Sequence, residues 1–309
     1  MKLAMVFPGQ GSQAVGMLKG YADLPGIKQT VEEARQALGD EFVRVLDEGP
    51  PEQLNQTVNT QPAMLTAGYA AYRAWRELGG REPDLVAGHS LGEYTALVAA
   101  GAIAFRDALP LVRFRAQAMQ QAVPQGRGAM AAILGLDEEG VRKACAEALG
   151  EVQAVNFNAP RQVVIAGEAR AVERAIELCK SRGARRAMPL PVSAPFHSSL
   201  MKPAGQALQG YLQKLTLAAP RIPLLNNVDV NIETRPDDIR LALVRQAYSP
   251  VRWVETIRKM HALGVTHILE CGPGKVLAGL TKRIYAETQS FALADRKLLE
   301  ETLTCLKAN

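Results

Sequence analysis

Short runs of consecutive apolar residues alternate along this chain with longer segments in which apolar residues recur every three or four positions. The runs LAMVF at 3–7 and LVA at 85–87 are typical of strands buried on both faces of a sheet. The segments 61–78 and 105–123 have the helical period, and Pro62 is predicted to lie in the first turn of the earlier one. The same pattern predicts a helix over 28–47 and strands over 222–227, 266–271 and 291–293. Strands that alternate with helices in this way predict an α/β protein with a mostly parallel sheet.

Residues 125–194 have a different order of predicted strands and helices from the rest of the chain. Strand-like runs are predicted at 129–134, 152–156, 162–166 and 185–190, and helical segments at 138–149 and 169–182. This βαββαβ order is that of a ferredoxin-like domain, and segments containing Pro124 and Pro191 bound it. We therefore expect a small ferredoxin-like domain, 125–194, inserted into a larger α/β-hydrolase-like domain made of 1–124 and 195–309.

The composition is that of an ordinary globular protein, since 48% of the 309 residues are hydrophobic and 22% are charged. No apolar run reaches about 18 residues, so no membrane span is expected, and the N-terminal run is too short for a signal peptide. The cysteines have no C-x-x-C spacing, which argues against zinc and disulfides and indicates a reducing cytoplasm. These cysteines are Cys145, Cys179, Cys271 and Cys305.

The net charge of +5 is small and dispersed along the chain. The densest basic stretch, 180–186, contains no interleaved aromatic residue, so nucleic-acid binding is not expected. A mild positive balance fits an acidic protein partner or an anionic small substrate, and it fits a solvated basic surface equally well.

The sequence GHSLG at 88–92 lies between the apolar run 85–87 and a helical segment that begins at Glu93. A strand, a tight turn and a helix form the context of a nucleophile elbow, in which glycines on both sides of the serine avoid a clash. Such a turn exposes the hydroxyl of Ser90 beside a helix N-terminus, where N–H groups stabilise developing negative charge. A glycine-rich turn that merely contains a serine is the competing interpretation.

A serine nucleophile needs a base, and His197 is the best candidate among the histidines. It lies in a loop after Pro195 and follows the serine in the chain, as in the α/β-hydrolase order. His89 is expected to point away from Ser90, whereas His261 and His267 fit packing or surface positions in a helix and a strand. Either a carboxylate such as Asp229 or a backbone carbonyl fits the role of orienting the base, and the sequence does not decide between them.

Two glycine-rich segments invite a comparison with nucleotide-binding loops. GQGSQ at 9–13, with Ala14, matches G-x-G-x-x-A, but no strand ending in Asp or Glu follows about 20 residues later. The loop fits better as a source of backbone N–H groups for an oxyanion. GPGK at 272–275 lacks the first glycine and the Ser or Thr of a P-loop, because Leu269 and Val276 stand there.

Together these motifs resemble the malonyl-CoA:acyl-carrier-protein transacylases of bacterial type II fatty acid synthesis, over essentially the whole chain. The matching segments are FPGQGSQ at 7–13, GHSLGE at 88–93, Arg115, NFN at 156–158, QVV at 162–164, PFHS at 195–198, NNV at 226–228 and GPGKVL at 272–277. The Phe-His pair formed by Phe196 and the candidate base resembles that of the malonyl-selective members of this family. Arg161, where many relatives have glycine, departs from the pattern and affects only the expected shape of that loop.

The resemblance implies a role for each matching residue. Ser90 would carry the malonyl group as an ester, and His197 would act as general base and then as general acid. The backbone N–H groups of Gln10 and Leu91 would form the oxyanion hole, and Arg115 would pair with the free malonyl carboxylate. The resemblance also places Gln61 and Phe196 at the substrate pocket and a backbone carbonyl near Gln246 on the histidine. It implies acyl carrier protein and malonyl-CoA as partners, a monomer, and no metal or other cofactor.

The residues support the role of Arg115 independently. Its neighbours Leu111, Phe114 and Ala118 form an apolar helix face, an unfavourable place for an unpaired charge unless a carboxylate binds there. A structural salt bridge is the alternative. The inserted segment is expected to cover the site and exclude water, and the basic side chains of Lys275, Lys282 and Arg283 are candidates for carrier docking.

Three other functions stay open on the sequence. A serine esterase or thioesterase would have the same nucleophile and would transfer the acyl group to water. A stand-alone acyltransferase for a polyketide synthase would have the same chemistry with a different carrier. A non-catalytic nucleotide-binding module would use the loop at 9–13.

Overall fold

The apolar run at the start of the chain becomes the central strand of a parallel sheet. In the computed structural model, which describes residues 1–21 and 23–307, five strands form this sheet. With strands numbered along the chain, they are β1 (Leu3–Phe7), β2 (Leu85–Gly88), β7 (Leu224–Leu225), β8 (His267–Glu270) and β9 (Gln289–Ala292). They lie in the order β7-β2-β1-β8-β9, and every pairing is parallel, which confirms the predicted mostly parallel sheet.

A second sheet is formed by the segment 125–194. Its strands are β3 (Gly128–Leu134), β4 (Val152–Ala159), β5 (Gln162–Glu168) and β6 (Arg186–Pro189). They pair antiparallel in the order β4-β5-β3-β6. Outside both sheets, Val251 accepts a hydrogen bond from Phe157 N and donates one to Val155 O, at 3.0 and 2.8 Å, so β4 is bonded to the chain segment around residue 251.

Helices occupy most of the connections between strands. Before β3 they are α1 (Pro25–Leu38), α2 (Asp40–Glu48), α3 (Pro51–Leu54), α4 (Thr57–Glu77), α5 (Gly92–Ala99) and α6 (Phe105–Gln121). Within and after the second sheet they are α7 (Glu138–Glu147), α8 (Ala169–Ser181), α9 (Lys202–Leu212), α10 (Pro236–Gln246), α11 (Trp253–Ala262), α12 (Val276–Ile284) and α13 (Arg296–Lys307). None of the helices in the described ranges is both long and apolar enough to cross a bilayer.

Both faces of the parallel sheet are buried, as its continuous apolar strands predict. In β1, Leu3 and Met5 belong to a core that includes side chains of α1, α4 and α6, whereas Ala4 and Val6 belong to one that includes side chains of α11 and α12. A separate core lies between the antiparallel sheet and the helices α7 and α8. The second sheet thus has its own apolar core.

Several predicted bounds are wrong. The helix expected to open at Gln61 begins four residues earlier, at Thr57, so Pro62 lies inside α4 rather than in its first turn. The helix expected over 28–47 is divided at Gly39, whose φ of +88° suits glycine and separates α1 from α2. The strand expected over 222–227 shrinks to β7. Helix α13 was not predicted, although its buried Leu299, Leu303 and Leu306 have helical spacing.

The parallel arrangement brings the loops that carry the motifs to one edge of the sheet. The loop after β1, the turn after β2 and the loop after β7 all leave the carboxyl ends of neighbouring strands. Gly9 lies so close to the turn after β2 that a Cβ on it would be 2.7 Å from His89 O. Ligands of open α/β sheets bind at this edge.

Candidate active site

Ser90 lies in the predicted strand–turn–helix, between the end of β2 at Gly88 and the start of α5 at Gly92. Its φ of +53° is in the left-handed region, which costs energy for a residue with a side chain and is typical of functional turns. Glycine is required on both sides. A Cβ on Gly92 would lie 1.9 Å from Phe7 O, and one on Gly88 would lie 1.9 Å from backbone atoms of Gly92.

The side chain of His197 contacts the serine hydroxyl. Its Nε2 is 2.7 Å from Ser90 Oγ, and its Nδ1 is 2.9 Å from the backbone carbonyl of Gln246. A carbonyl only accepts hydrogen bonds, so Nδ1 carries the ring proton and Nε2 is left to accept the proton of Ser90. The backbone carbonyl, rather than a carboxylate, therefore orients the histidine.

The other candidates for base and for orienting acid are used elsewhere. His89 Nε2 is 2.8 Å from Asn158 Oδ1, and its ring packs against Trp253. His261 stacks on Tyr285, and His267 lies at the first residue of β8, at the far end of that strand. Asp229 accepts two hydrogen bonds from Arg245, at 2.8 and 2.5 Å, so the structure does not place it on His197.

Replacing Asp229 by Asn is expected to change the reactivity of Ser90 by less than about threefold, because the partially exposed ion pair that it removes is worth about 1 kcal/mol or less. The measurement is the rate at which a fluorophosphonate probe labels the serine. Removing a triad carboxylate costs about 10⁴-fold in rate, so a loss of about 100-fold or more in a folded variant would contradict the assignment of the backbone carbonyl.

Arg115 is a buried cation beside the nucleophile. Its side chain is on α6, the residue is 1% exposed, and no carboxylate in the described part of the chain lies within ion-pair distance of it. Nη1 donates to Gln61 Oε1 at 2.7 Å, and Nη2 donates to Gln246 Oε1 at 3.0 Å and to Ser90 Oγ at 3.3 Å. Burying a charge among neutral acceptors is costly, and the structural salt bridge considered as the alternative is not formed. The guanidinium is therefore a buried positive charge held by neutral acceptors.

The loop after β1 is tied to Arg115 through a chain of side chains. Gln61 Nε2 donates to Thr57 Oγ1 at 3.1 Å, and that hydroxyl donates to Gln10 Oε1 at 2.8 Å. Leu91 immediately precedes α5, so its N–H lies at the helix N-terminus next to the serine. The two backbone amides considered for an oxyanion hole thus belong to segments that contact the turn at Ser90.

Phe196 precedes the histidine and is half-buried. It packs against both the main apolar core and a small core of the antiparallel sheet. His197 itself has a φ of +65°, so the chain turns sharply between these two side chains. Phe196 therefore lies where the two sheets approach the nucleophile.

Two residues without a predicted role hold the turn together. Asn227 Oδ1 accepts a hydrogen bond from Ser90 N at 2.7 Å, and its Nδ2 donates to Gly88 O at 2.6 Å. Glu93 Oε2 accepts from Asn227 N and from Gln246 Nε2, each at 2.9 Å. The sequence contained an indication of both roles, because Glu93 directly follows the glycine of the turn and Asn227 is a polar residue after a short strand.

Burial sets the protonation of the ionisable groups at this site. Burial, together with the positive charge of Arg115, lowers the pKa of His197 to about 3. Burial also raises the pKa of Glu93 to about 7. The imidazole of His197 is consequently neutral at physiological pH and able to accept a proton.

The loop 9–13 does not have the geometry of a dinucleotide-binding loop. The next α-helix after the loop begins only at Pro25, so the loop does not open a helix as a dinucleotide-binding loop does. No group of three or more His, Cys, Asp or Glu side chains in the described ranges is arranged to hold a metal ion.

Ser90, His197 and the buried Arg115 thus lie together at one site, an arrangement that fits acyl transfer. The sequence profile of the acyl transferase domain matches residues 4–295. The chain is 54% identical over 305 residues to the malonyl CoA-acyl carrier protein transacylase of Escherichia coli K12, covering 98% of this chain and 99% of that protein. It is 46% identical to the Bacillus subtilis protein of the same name, covering 99% and 98%.

Solved structures agree with this result. The acyl-carrier-protein S-malonyltransferase of Burkholderia pseudomallei 1710b superposes with a TM-score of 0.97 at 60% identity, covering 98% of this chain and all of that one. A malonyl transacylase in complex with a type II polyketide acyl carrier protein superposes with a TM-score of 0.96 at 51% identity, covering both chains fully. The chain therefore belongs to the acyl transferase family.

Proposed function

We propose that this protein transfers the malonyl group of malonyl-CoA to the phosphopantetheine thiol of an acyl carrier protein, through a malonyl ester on Ser90. The observation that carries the proposal is the buried guanidinium of Arg115, which forms no ion pair with a carboxylate of residues 1–21 or 23–307 and lies 3.3 Å from Ser90 Oγ. An acyl group with a free carboxylate at its far end matches this pair of groups. The names of the relatives reported above support the same substrate and carrier.

Acylation begins when His197 Nε2 takes the proton of Ser90 Oγ and the oxygen attacks the thioester carbonyl. The N–H groups of Gln10 and Leu91 stabilise the resulting oxyanion. The tetrahedral intermediate collapses, the C–S bond breaks, and His197 gives its proton to the sulfur of coenzyme A. The carrier thiol then repeats these steps in reverse order on the serine ester, which restores the hydroxyl of Ser90.

Arg115 contributes by recognising the substrate. A planar guanidinium binds a carboxylate through two parallel hydrogen bonds, which a lysine cannot do. Gln61 and Gln246 accept hydrogen bonds from its two terminal nitrogens and so fix the plane of the group. Phe196, half-buried at the same place, limits the space beside the acyl chain.

We also propose the finer description of the fold. The strand order β4-β5-β3-β6, with a helix after β3 and another after β5, supports a ferredoxin-like domain at 125–194. The turn at Ser90 between β2 and α5 supports an α/β-hydrolase-like domain made of 1–124 and 195–309. Asn158 of β4 bonds His89 next to the nucleophile, which supports a role of the smaller domain as a cover that excludes water.

The carrier of a fatty acid pathway is the first candidate partner, because elongation of fatty acids consumes malonyl groups. A polyketide carrier is a second candidate, and the similarity to a transacylase in complex with such a carrier favours it. Neither step of the reaction needs a metal or a resident cofactor. The monomeric state and the cytoplasmic location stay predictions. A thioesterase, the alternative enzyme, would differ only in transferring the acyl group from Ser90 to water.

The first test is the intact mass of the protein after brief mixing with malonyl-CoA. We expect one malonyl adduct, mapped by fragmentation to the peptide that contains Ser90, and its removal on addition of holo acyl carrier protein. Discharge to water at the same rate with and without the carrier would indicate a thioesterase. The absence of any adduct or hydrolysis would reject the proposed function.

The pH dependence of Ser90 malonylation follows from the lowered pKa of His197. Only the neutral imidazole accepts a proton, and with a pKa near 3 it stays neutral as the pH falls from 8 to 5. We expect kcat/KM for malonyl-CoA to change by less than about threefold over this range, whereas an ordinary histidine would cost about 30-fold at pH 5. A profile that falls with an apparent pKa near 6.5 would contradict this prediction.

Carrier docking is expected to depend on exposed basic side chains near α12. Lys275, Lys282 and Arg283 are all exposed, and acyl carrier proteins are acidic. Reversing the charge at Lys282 and Arg283 together is expected to raise the apparent KM for the carrier by about tenfold, with the rate of Ser90 malonylation unchanged. Lys214→Glu, at an exposed lysine after α9, is the control. An unchanged KM would exclude this surface.

A further inference from the structure

The side chain of Gln246 lies at the centre of the site, between one group that donates a hydrogen bond to it and two groups that accept one from it. Its Oε1 accepts a hydrogen bond from Arg115 Nη2 at 3.0 Å. Its Nε2 donates to Ser90 O at 3.0 Å and to Glu93 Oε2 at 2.9 Å. The amide is fully buried, so no water is free to replace a missing partner.

The two ends of an amide are not interchangeable in this position. A guanidinium only donates hydrogen bonds, so Arg115 must face the oxygen of Gln246. If the amide turned over, its NH₂ group would face the guanidinium, and its oxygen would face the carbonyl of Ser90 and the carboxyl of Glu93. Each of those contacts would be repulsive or would leave a buried group without a partner. Two acceptors on one side therefore determine which end of the amide Arg115 meets.

Glu93 supplies one of these two acceptors, and it does so without touching Arg115. Within the described residues, no ion pair shorter than 4.0 Å joins the carboxylate to the guanidinium. One oxygen of Glu93 accepts from both Gln246 Nε2 and Asn227 N. Asn227 in turn holds the backbone of Ser90, so the same carboxyl group braces the nucleophile turn.

We propose that Glu93 is a positioning residue for substrate selection, because it fixes the amide of Gln246 and thereby the guanidinium of Arg115 that binds the acyl carboxylate. This inference rests on the proposed function. The role belongs to an acceptor oxygen and does not require a negative charge. The raised pKa of Glu93, about 7, agrees with this, since the neutral acid keeps an acceptor oxygen near neutral pH. A glutamine at position 93 has an equivalent oxygen.

The test compares the second-order rates of Ser90 acylation by malonyl-CoA and by acetyl-CoA, which lacks the carboxylate. Their ratio measures selection, whereas a loss of elbow support lowers both rates together. We expect Glu93→Ala to lower the ratio at least tenfold and Glu93→Gln to keep it within threefold of the wild type. Gln246→Ala, which keeps the backbone carbonyl that holds His197, is expected to lower the ratio by a similar factor.

The double variant identifies the route of the effect. If Glu93 acts through Gln246, the ratio in Glu93→Ala/Gln246→Ala is no lower than in Gln246→Ala alone. Multiplied effects, an equal fall of both rates in Glu93→Ala, or a wild-type ratio in Gln246→Ala would each overturn the proposal. A folded Glu93→Gln that loses selection would also overturn it, and this variant decides the matter if Glu93→Ala does not fold.

Failure of the proposed function has a different appearance in these experiments. In that case the wild type itself forms no malonyl adduct on Ser90 and shows no preference for malonyl-CoA. A wild type that prefers malonyl-CoA, together with a Gln246→Ala variant that keeps the preference, would leave the proposed function intact and reject only the role of Glu93.

Discussion

His197→Ala is expected to lower the rate of Ser90 malonylation by about 10³- to 10⁴-fold. The variant removes the group that accepts the proton of Ser90 Oγ, and the remaining histidines are held elsewhere. On the proposed mechanism the hydroxyl would then attack without a base, with only the amides assigned to the oxyanion hole and Arg115 to lower the barrier. The measurement is a quenched-flow time course of the malonyl adduct by intact mass.

His261→Ala is the matched control, because it makes the same change at a half-buried ring that stacks on Tyr285. Its malonylation rate is expected to stay within about threefold of the wild type. If the His197 variant, shown to be folded by circular dichroism, lost less than tenfold in rate, then another group would be the base. The contact between Ser90 and His197 would in that case be structural.

The second large effect is expected at Arg115. Replacing it by Ala is predicted to lower kcat/KM for malonyl-CoA by about 10²- to 10³-fold, because two charge-assisted hydrogen bonds to the carboxylate are worth about 3 to 4 kcal/mol together. The rate with acetyl-CoA is predicted to fall less than about tenfold or to rise, since acetyl has no carboxylate to bind. Initial rates with both thioesters, and holo carrier protein as acceptor, provide the measurement.

Two further variants separate recognition from packing. Arg115→Lys keeps the positive charge but loses the planar pair of N–H donors. Its kcat/KM for malonyl-CoA is therefore expected to lie between those of Arg115→Ala and the wild type. Arg113→Ala removes a neighbouring arginine on the same helix, whose guanidinium lies over the ring of Phe42. It is expected to leave the preference between the thioesters unchanged. An equal loss with both thioesters in Arg115→Ala would mean that the arginine supports the structure and does not select the substrate.

Local sequence patterns were sufficient to predict the two residues to which the proposed chemistry is assigned, Ser90 and His197. The elbow at Ser90 follows from glycines that flank a serine between a strand and a helix, and His197 follows from its place after the serine in the chain. The parallel sheet was predictable because β1 and β2 are continuous apolar runs, which are typical of strands buried on both faces. The parallel pairing of β1 with β2 confirms it. These features depend on neighbours in the sequence.

The supporting contacts could not be predicted in the same way. Glu93 and Gln246 are separated by 153 positions and Ser90 and Asn227 by 137, so only the folded chain brings them together. The choice between Asp229 and a backbone carbonyl as the partner of His197 also depended on the fold, because Arg245 takes the carboxylate. Helix α4 begins before its proline because Thr57 and Thr60 form its first turn, a detail that the helical period alone does not contain.

The charge balance inside the site changes over the proposed catalytic cycle. In the free enzyme the guanidinium of Arg115 is hydrogen-bonded to neutral acceptors and Ser90 Oγ, and no carboxylate of the described chain forms a direct ion pair with it. Once Ser90 carries a malonyl ester, the terminal carboxylate supplies that counter-ion. Under the proposed function, the acylated protein is then the form in which the buried guanidinium is directly paired with a carboxylate.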